Sequence, residues 1–386
     1  MKFSSTFARL LWRGGFAAGV TALALAACGG GTDIEDFRPN RILAFGDEAS
    51  VLLAASAAGG NTPAASAAPL ADLPASTSGL KYGVNAVQVI PAASNASGVV
   101  TPAREEVDCR VYPIWVQSVA AAFGLTFQEC RGTTAEADAR GRILAQAGAF
   151  AAAPANAASS VSDIRRQIDT FLAGGSFTDQ DIVTVMAGQN DIVDAFLNRG
   201  TATDEALVES MRQRGKQLAE QVNRIAVSGP AVIVMRIPNV GYTPWGRAQG
   251  EAGAQLLRRM TEGFNTSLQL NLINDGHLIG LAFGDSELRN MVDFPDAYSL
   301  VNVTQPVCQQ AADRPPAAGQ RPTDTPLLTA CGTYSTVLTS VGSGASAASA
   351  PAVPSTYLWA GNLTMGPTAQ SRLGSLAADR ALNNPF

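Results

Sequence analysis

Four short apolar runs constrain this chain more than any other feature. Residues 42–45, 182–186, 231–237 and 279–283 are rich in isoleucine, valine and other apolar side chains, and turn residues bound each of them. A run of that length without polar alternation is buried on both faces, as strands of a parallel sheet are. Residues 114–123, 162–172, 204–227, 246–273 and 367–382 read as helices. Strand alternating with helix predicts an α/β fold, three-layer α/β/α around a mostly parallel sheet. In such sheets ligands lie beyond the carboxyl ends of the strands, where the winding reverses, so the turns after the strands are where chemistry belongs.

Three of those turns stand out. "RILAFGDEAS", residues 41–50, ends its strand in a tight turn carrying Asp47 and Glu48. "AGQND", residues 187–191, follows the second strand, with a helix expected from Ile192. Glycine there permits close backbone approach, and the Asn190 amide suits an anionic oxygen at the sheet edge. The plainer alternative is that Asn190 or Asp191 caps the helix. "LAFGDSEL", residues 281–288, repeats Phe-Gly-Asp and offers Ser286, which with Asp285 reads as a helix cap.

The N-terminus is a separate element. Lys2, Arg9 and Arg13 precede an apolar run over residues 16–24, and the run closes on "LAAC", residues 25–28. That is the pattern of a secretory leader, too short to span a bilayer, which needs about 20 apolar residues. Its end resembles a bacterial lipobox, which implies a signal segment at 1–27, lipidation of Cys28, and a tether to residue 40. By that resemblance the protein is exported and held in the cell envelope, at the periplasmic face of the outer membrane. The remainder, 41–386, reads as one domain.

Three of the 27 basic residues precede Cys28 and none of the 32 acidic ones does, so the mature chain is distinctly acidic. No basic run marks a nucleic-acid or anionic-lipid surface. With 46% hydrophobic residues in 386, a packed core is within reach. Segments 54–78, 92–101, 145–160 and 343–355 are rich in Ala, Ser, Gly and Pro and nearly uncharged, and they read as loops inserted into the scaffold. An Ala-rich helix within 145–158 is the alternative, limited by Pro154. Export makes disulfides plausible among Cys109, Cys130, Cys308 and Cys331. Three connectivities are possible, and pairing Cys109 with Cys130 and Cys308 with Cys331 closes the shortest loops. Neither pair has the spacing of a zinc or redox site, and no metal or cofactor is expected.

In order along the chain, "FGDE", the helix of "PIWVQSVAAAFGL" (113–125), "AGQND" and "NVTQPVC" (302–308) resemble the SGNH/GDSL hydrolase family. That family has an ester-hydrolysing Ser-His-Asp triad on a flavodoxin-like α/β/α fold. Carrying its pattern over, the nucleophile position is Glu48, and Asn190 keeps the third-block asparagine. Gly141, in "DARGRIL", matches the second-block glycine, a further oxyanion donor. "YLWAGNLTMGPTAQ", residues 357–370, resembles the last block with Gly361 at the aspartate and Thr364 at the histidine. All three triad positions then hold residues that cannot perform the triad's chemistry.

Composition supports that register, because His277 is the chain's one histidine and it precedes the fourth apolar run. At a strand start it lies at the wrong edge of the sheet to serve as a base, which must come within about 3 Å of its partner. Ser286 fails on order, since the Gly-x-Asn-Asp block precedes it and no histidine follows. Ser50 likewise lacks a base.

Three functions fit these residues. One is a lipid-anchored, catalytically impaired hydrolase-like protein that keeps a pocket for an acyl, glycan or other small ligand near Glu48, Asn190 and Asp191. The second is an ester hydrolase using Glu48 as a base toward water, its pKa raised by Asp47 or Asp191. The third is an interaction lipoprotein in which only the scaffold matters.

Overall fold

Strand β1 (Arg41–Gly46) forms where the run 42–45 requires it, and Ile42, Leu43, Ala44 and Phe45 are fully enclosed. With β2 (Gly141–Ile143), β3 (Asp181–Met186), β4 (Ala231–Met235) and β5 (Ile279–Ala282) it makes a parallel sheet in the order β2-β1-β3-β4-β5. The computed structural model describes residues 37–52, 86–90, 93–94, 96–98, 100–101, 104–130, 140–153, 162–307, 338–341 and 348–386. Contacts divide the chain into Met1–Arg38 and Pro39–Phe386, and the architecture below is that of the second unit. The leader, Cys28, Cys308 and Cys331 lie outside the described residues.

From β1 the chain winds outward to β2, then returns past β1 and continues through β3, β4 and β5. The reversal therefore falls between β1 and β3, which pair from Arg41 with Asp181 to Gly46 with Met186. Strand β2 has only three residues and a half-exposed Arg142. It gives no apolar run and was invisible to hydrophobic patterning.

Right-handed crossovers from this order set the layers. Helices α1 (Trp115–Ala122) and α8 (Pro367–Asn383) pack together on one face of the sheet. On the other lie α2 (Ile164–Gly174) and the long pair α4 (Asp204–Ala226) and α6 (Gly250–Asn271). Short helices α3 (Gln189–Leu197), α5 (Pro244–Ala248) and α7 (Gly284–Asp293) follow the carboxyl ends of β3, β4 and β5. The helix expected over 246–273 is thus two, α5 and α6, parted at Gln249, with Pro244 opening the first and Gly250 at φ +78° beginning the second.

Trp115, Trp245 and Trp359 are fully buried. Burial of a side chain of this kind contributes roughly 1.5–3 kcal/mol. Trp115 also orients its neighbours: its indole Nε1 donates to Ser50 Oγ (3.2 Å) and its backbone N–H to Gln370 Oε1 on α8 (3.0 Å). Ser50 is accordingly a core hydrogen-bond acceptor.

Cys109 and Cys130 are disulfide-bonded, tying the turn before α1 to the turn that precedes β2. A closed loop of this size is expected to contribute about 3 kcal/mol. Thermal unfolding with and without reductant checks this: the transition should fall on reduction, and a Cys109→Ala, Cys130→Ala variant should show no such response.

Candidate functional site

At the end of β1 the backbone must turn against the end of β3. Gly46 sits at φ +151°, and a Cβ there would lie 2.3 Å from the Met186 carbonyl oxygen, so glycine is required. Gln167 of α2 clamps the turn, accepting from Gly46 N–H at Oε1 (3.0 Å) and donating from Nε2 to the Gly46 carbonyl (2.8 Å). Asp47 follows, buried, its N–H on the Met186 carbonyl (3.1 Å) and its Oδ1 accepting from Ala49 N–H (3.1 Å). That cap starts a single 3₁₀ turn, Glu48–Ser50, whose first side chain is Glu48.

Three donors converge on the Glu48 carboxylate. Oε2 accepts from the backbone N–H of Gly148 (2.9 Å) and from Asn190 Nδ2 (2.9 Å). Oε1 accepts from Gln189 Nε2 (3.1 Å). Gly148 comes from the loop after β2, and Gln189 and Asn190 form the first turn of α3. Helix α3 begins three residues earlier than Ile192, and its N-cap is Gly188, with no side-chain cap bond. Asn190 and Asp191 therefore do not cap the helix; both are buried and engaged across the strand ends. Asn190 Nδ2 also donates to the Ala149 carbonyl (3.1 Å), which fixes its amide beside Gly148.

Gly141 is not part of this cradle. It opens β2, opposite Ile42 at the beginning of β1, and its N–H is bound to the Thr126 carbonyl (2.8 Å). The strand carries Gly141 to the far edge of the sheet, and the glycine that reaches Glu48 is Gly148. The described part of the segment 145–160, expected to be a loop, is a loop that follows β2 at the carboxyl end of the sheet. Asp191 accepts from Ala151 N–H (2.7 Å) and Ala152 N–H (3.3 Å), and Arg214 of α4 donates to the carbonyls of Ala152 and Ala153.

The last turn also arrives here. After the strand Tyr357–Trp359, the N–H groups of Ala360 and Gly361 both donate to the Thr364 carbonyl (2.9 and 3.2 Å). Trp245 N–H holds the same turn through the Asn362 carbonyl (3.1 Å). Thr364, Met365 and Gln370 line one cleft with Asp47, Glu48 and Gln189. The space enclosed between them is about 10 Å³, room for roughly one water. Gly361 is buried and offers no side chain.

The remaining candidates lie elsewhere. His277 is exposed at the amino end of β5, its Nδ1 2.8 Å from the Pro385 carbonyl. Asp285 is in the first turn of α7 and pairs with Arg236 (2.6 Å), and the N-cap is Phe283. Among the described residues no three His, Cys, Asp or Glu side chains gather as a metal site.

Electrostatically the site is crowded with carboxyls. Burial, then the Glu48 charge, raises the Asp47 carboxyl well above its ordinary range. Its Oδ2 is buried with no partner among the described residues. Burial likewise pushes Asp191 up to about 7, against the opposing pull of its two backbone donors and Arg214.

The profile of the family described as GDSL-like Lipase/Acylhydrolase matches residues 112–316, more than half of the chain. The chain belongs to the GDSL-like lipase/acylhydrolase family. A comparison with curated proteins found no match. The matched span holds Gly148 and Asn190, while the turns bearing Glu48 and Thr364 lie outside it. In this GDSL-family chain the donors stand 2.9 Å from an oxygen, within the 2.7–3.1 Å suited to a developing oxyanion. The oxygen they hold belongs to the protein itself. Gly148 and Gln189 were the residues sequence reading missed. A backbone N–H leaves no trace in residue identity, and Gln189, though inside "AGQND", has no assigned role in the family pattern.

Proposed function

We propose that this protein is a lipid-anchored, GDSL-hydrolase-like protein of the cell envelope that does not hydrolyse esters. The observation that carries the reading is the Glu48 carboxylate seated on Gly148 N–H, Asn190 Nδ2 and Gln189 Nε2. A negative oxygen already occupies the place where an ester's oxyanion would form, and a second one is excluded by charge and by space. The same contacts oppose Glu48 as a base toward water, because both oxygens are committed to N–H donors. With Thr364 beside it and His277 at the far edge of the sheet, no imidazole stands near the turn. The leader pattern ending at Cys28 supports the anchor and export to the envelope.

The first test is direct. Full-length protein purified in detergent should show no turnover of short-chain nitrophenyl esters above the Glu48→Ala variant. Turnover in the native protein that Glu48→Ala abolishes would sink the proposal and establish Glu48 as a working group.

A further inference from the structure

A second cleft lies behind the segment that follows β4. Ile237 and Pro238 of that segment face the Glu48 cleft, while Arg236 and Asn239 line the second one. It is far larger, about 520 Å³. Its lining is polar, and four arginines meet there from three elements: Arg236 after β4, Arg258 and Arg259 on α6, and Arg289 on α7. Two carboxylates, Glu262 and Asp285, also line it, and the other carboxylates that pair with these arginines stand outside the lining.

The arginines are not locked by their present partners. Arg258 gives Nη2 to Glu251 (2.9 Å), Arg259 reaches Asp204 (3.3 Å) and Glu205 (2.9 Å), and Arg289 gives Nε to Asp293 (3.4 Å). Those carboxylates are exposed, and such pairs contribute about 0–1 kcal/mol each. Each guanidinium has five N–H donors, so Arg258 and Arg289 keep donors to spare. Only Arg236 is held firmly, by Asp285 (2.6 Å) and by Gln269 (2.9 Å).

We propose that this cleft binds a phosphate monoester. Forked guanidiniums approaching from several directions suit the tetrahedral oxygens of a phosphate, and such charge-assisted bonds are roughly twice as strong as neutral ones. The volume exceeds that of the bare anion, which leaves room for an organic moiety beside it. The phosphate can belong to a soluble ester or to a lipid headgroup. This site is independent of the Glu48 turn, so the ester assay does not bear on it.

The test is calorimetric titration of the full-length protein in detergent with inorganic phosphate, glycerol 3-phosphate, short-chain phosphatidic acid and, as a neutral control, glycerol. The phosphates should bind and glycerol should not. Arg258→Gln with Arg289→Gln should weaken binding by at least about tenfold. Arg289 is exposed and Arg258 half-buried, and Ser286→Trp, an exposed position on the same lining, provides a block by bulk that leaves every charge in place. Tighter glycerol 3-phosphate indicates a soluble ligand, and tighter phosphatidic acid a lipid headgroup; either supports the site. Absence of phosphate binding at millimolar concentration, equal binding of glycerol, or wild-type affinity in both variants would overturn it.

Discussion

Combining Glu48→Ser, Gly361→Asp and Thr364→His is expected to raise ester hydrolysis at least about 10³-fold above the single Glu48→Ser variant. The single change empties the cradle, so that Gly148 N–H and Asn190 Nδ2 again face an unoccupied point. It leaves a serine without a base, and an oxyanion hole with binding alone accounts for only about 10³–10⁴ over water. Thr364 already lines the cleft with Glu48, so an imidazole there is placed on the correct side of the turn. The buried Gly361, within the same hydrogen-bonded turn, is the position from which a carboxylate would orient it. Steady-state assays on nitrophenyl acetate, with buried-tryptophan fluorescence as the check on folding, decide the matter. A folded triple variant no faster than Glu48→Ser would show that the last turn does not occupy the triad's register.

The second large effect concerns pH. Asp191 holds its proton to about pH 7 in the fold, against an ordinary carboxyl value near 4 when unfolded. Between those values the folded state carries more protons than the unfolded one, so stability is greatest below about pH 4 as far as this group is concerned. It falls as pH rises through the window and levels off above about 7. The expected loss is about 4 kcal/mol for Asp191, and Asp47, raised in the same direction, adds to it. Urea unfolding at pH 5 and pH 8, followed by tryptophan emission, reads the part of that loss lying above pH 5, about 3 kcal/mol for Asp191. Asp191→Asn removes the titrating group while keeping one acceptor for Ala151 N–H, so the variant should show a much flatter pH dependence and gain stability relative to the native protein between pH 5 and pH 8. An unchanged slope in that variant would assign the effect to other groups.

Much of the architecture was readable in advance because it rests on side-chain identity. The runs 42–45 and 182–186 are apolar enough to be buried on both faces, and the sheet places both at its centre. The helices of 204–227 and 367–382 appear within a residue or so of those bounds. Short or irregular pieces escaped. Strand β2 is held by pairing with β1 rather than by its own composition, and the break at Gln249 depends on a local left-handed glycine. Gly141 was misplaced for the same reason: without a visible strand, nothing in "DARGRIL" says which end of the sheet its glycine reaches.

The sequence by itself determined which groups are available: a glutamate after the first strand, one histidine in 386 residues, and a glycine and a threonine in the last block. The tertiary structure decided where the remaining groups point. It turned the Gly148 N–H and the Asn190 amide onto Glu48, and it drew Arg236, Arg258, Arg259 and Arg289 from three elements into one cleft. Backbone donors and charges far apart in sequence acquire a common direction only when the strands and helices that carry them are packed together.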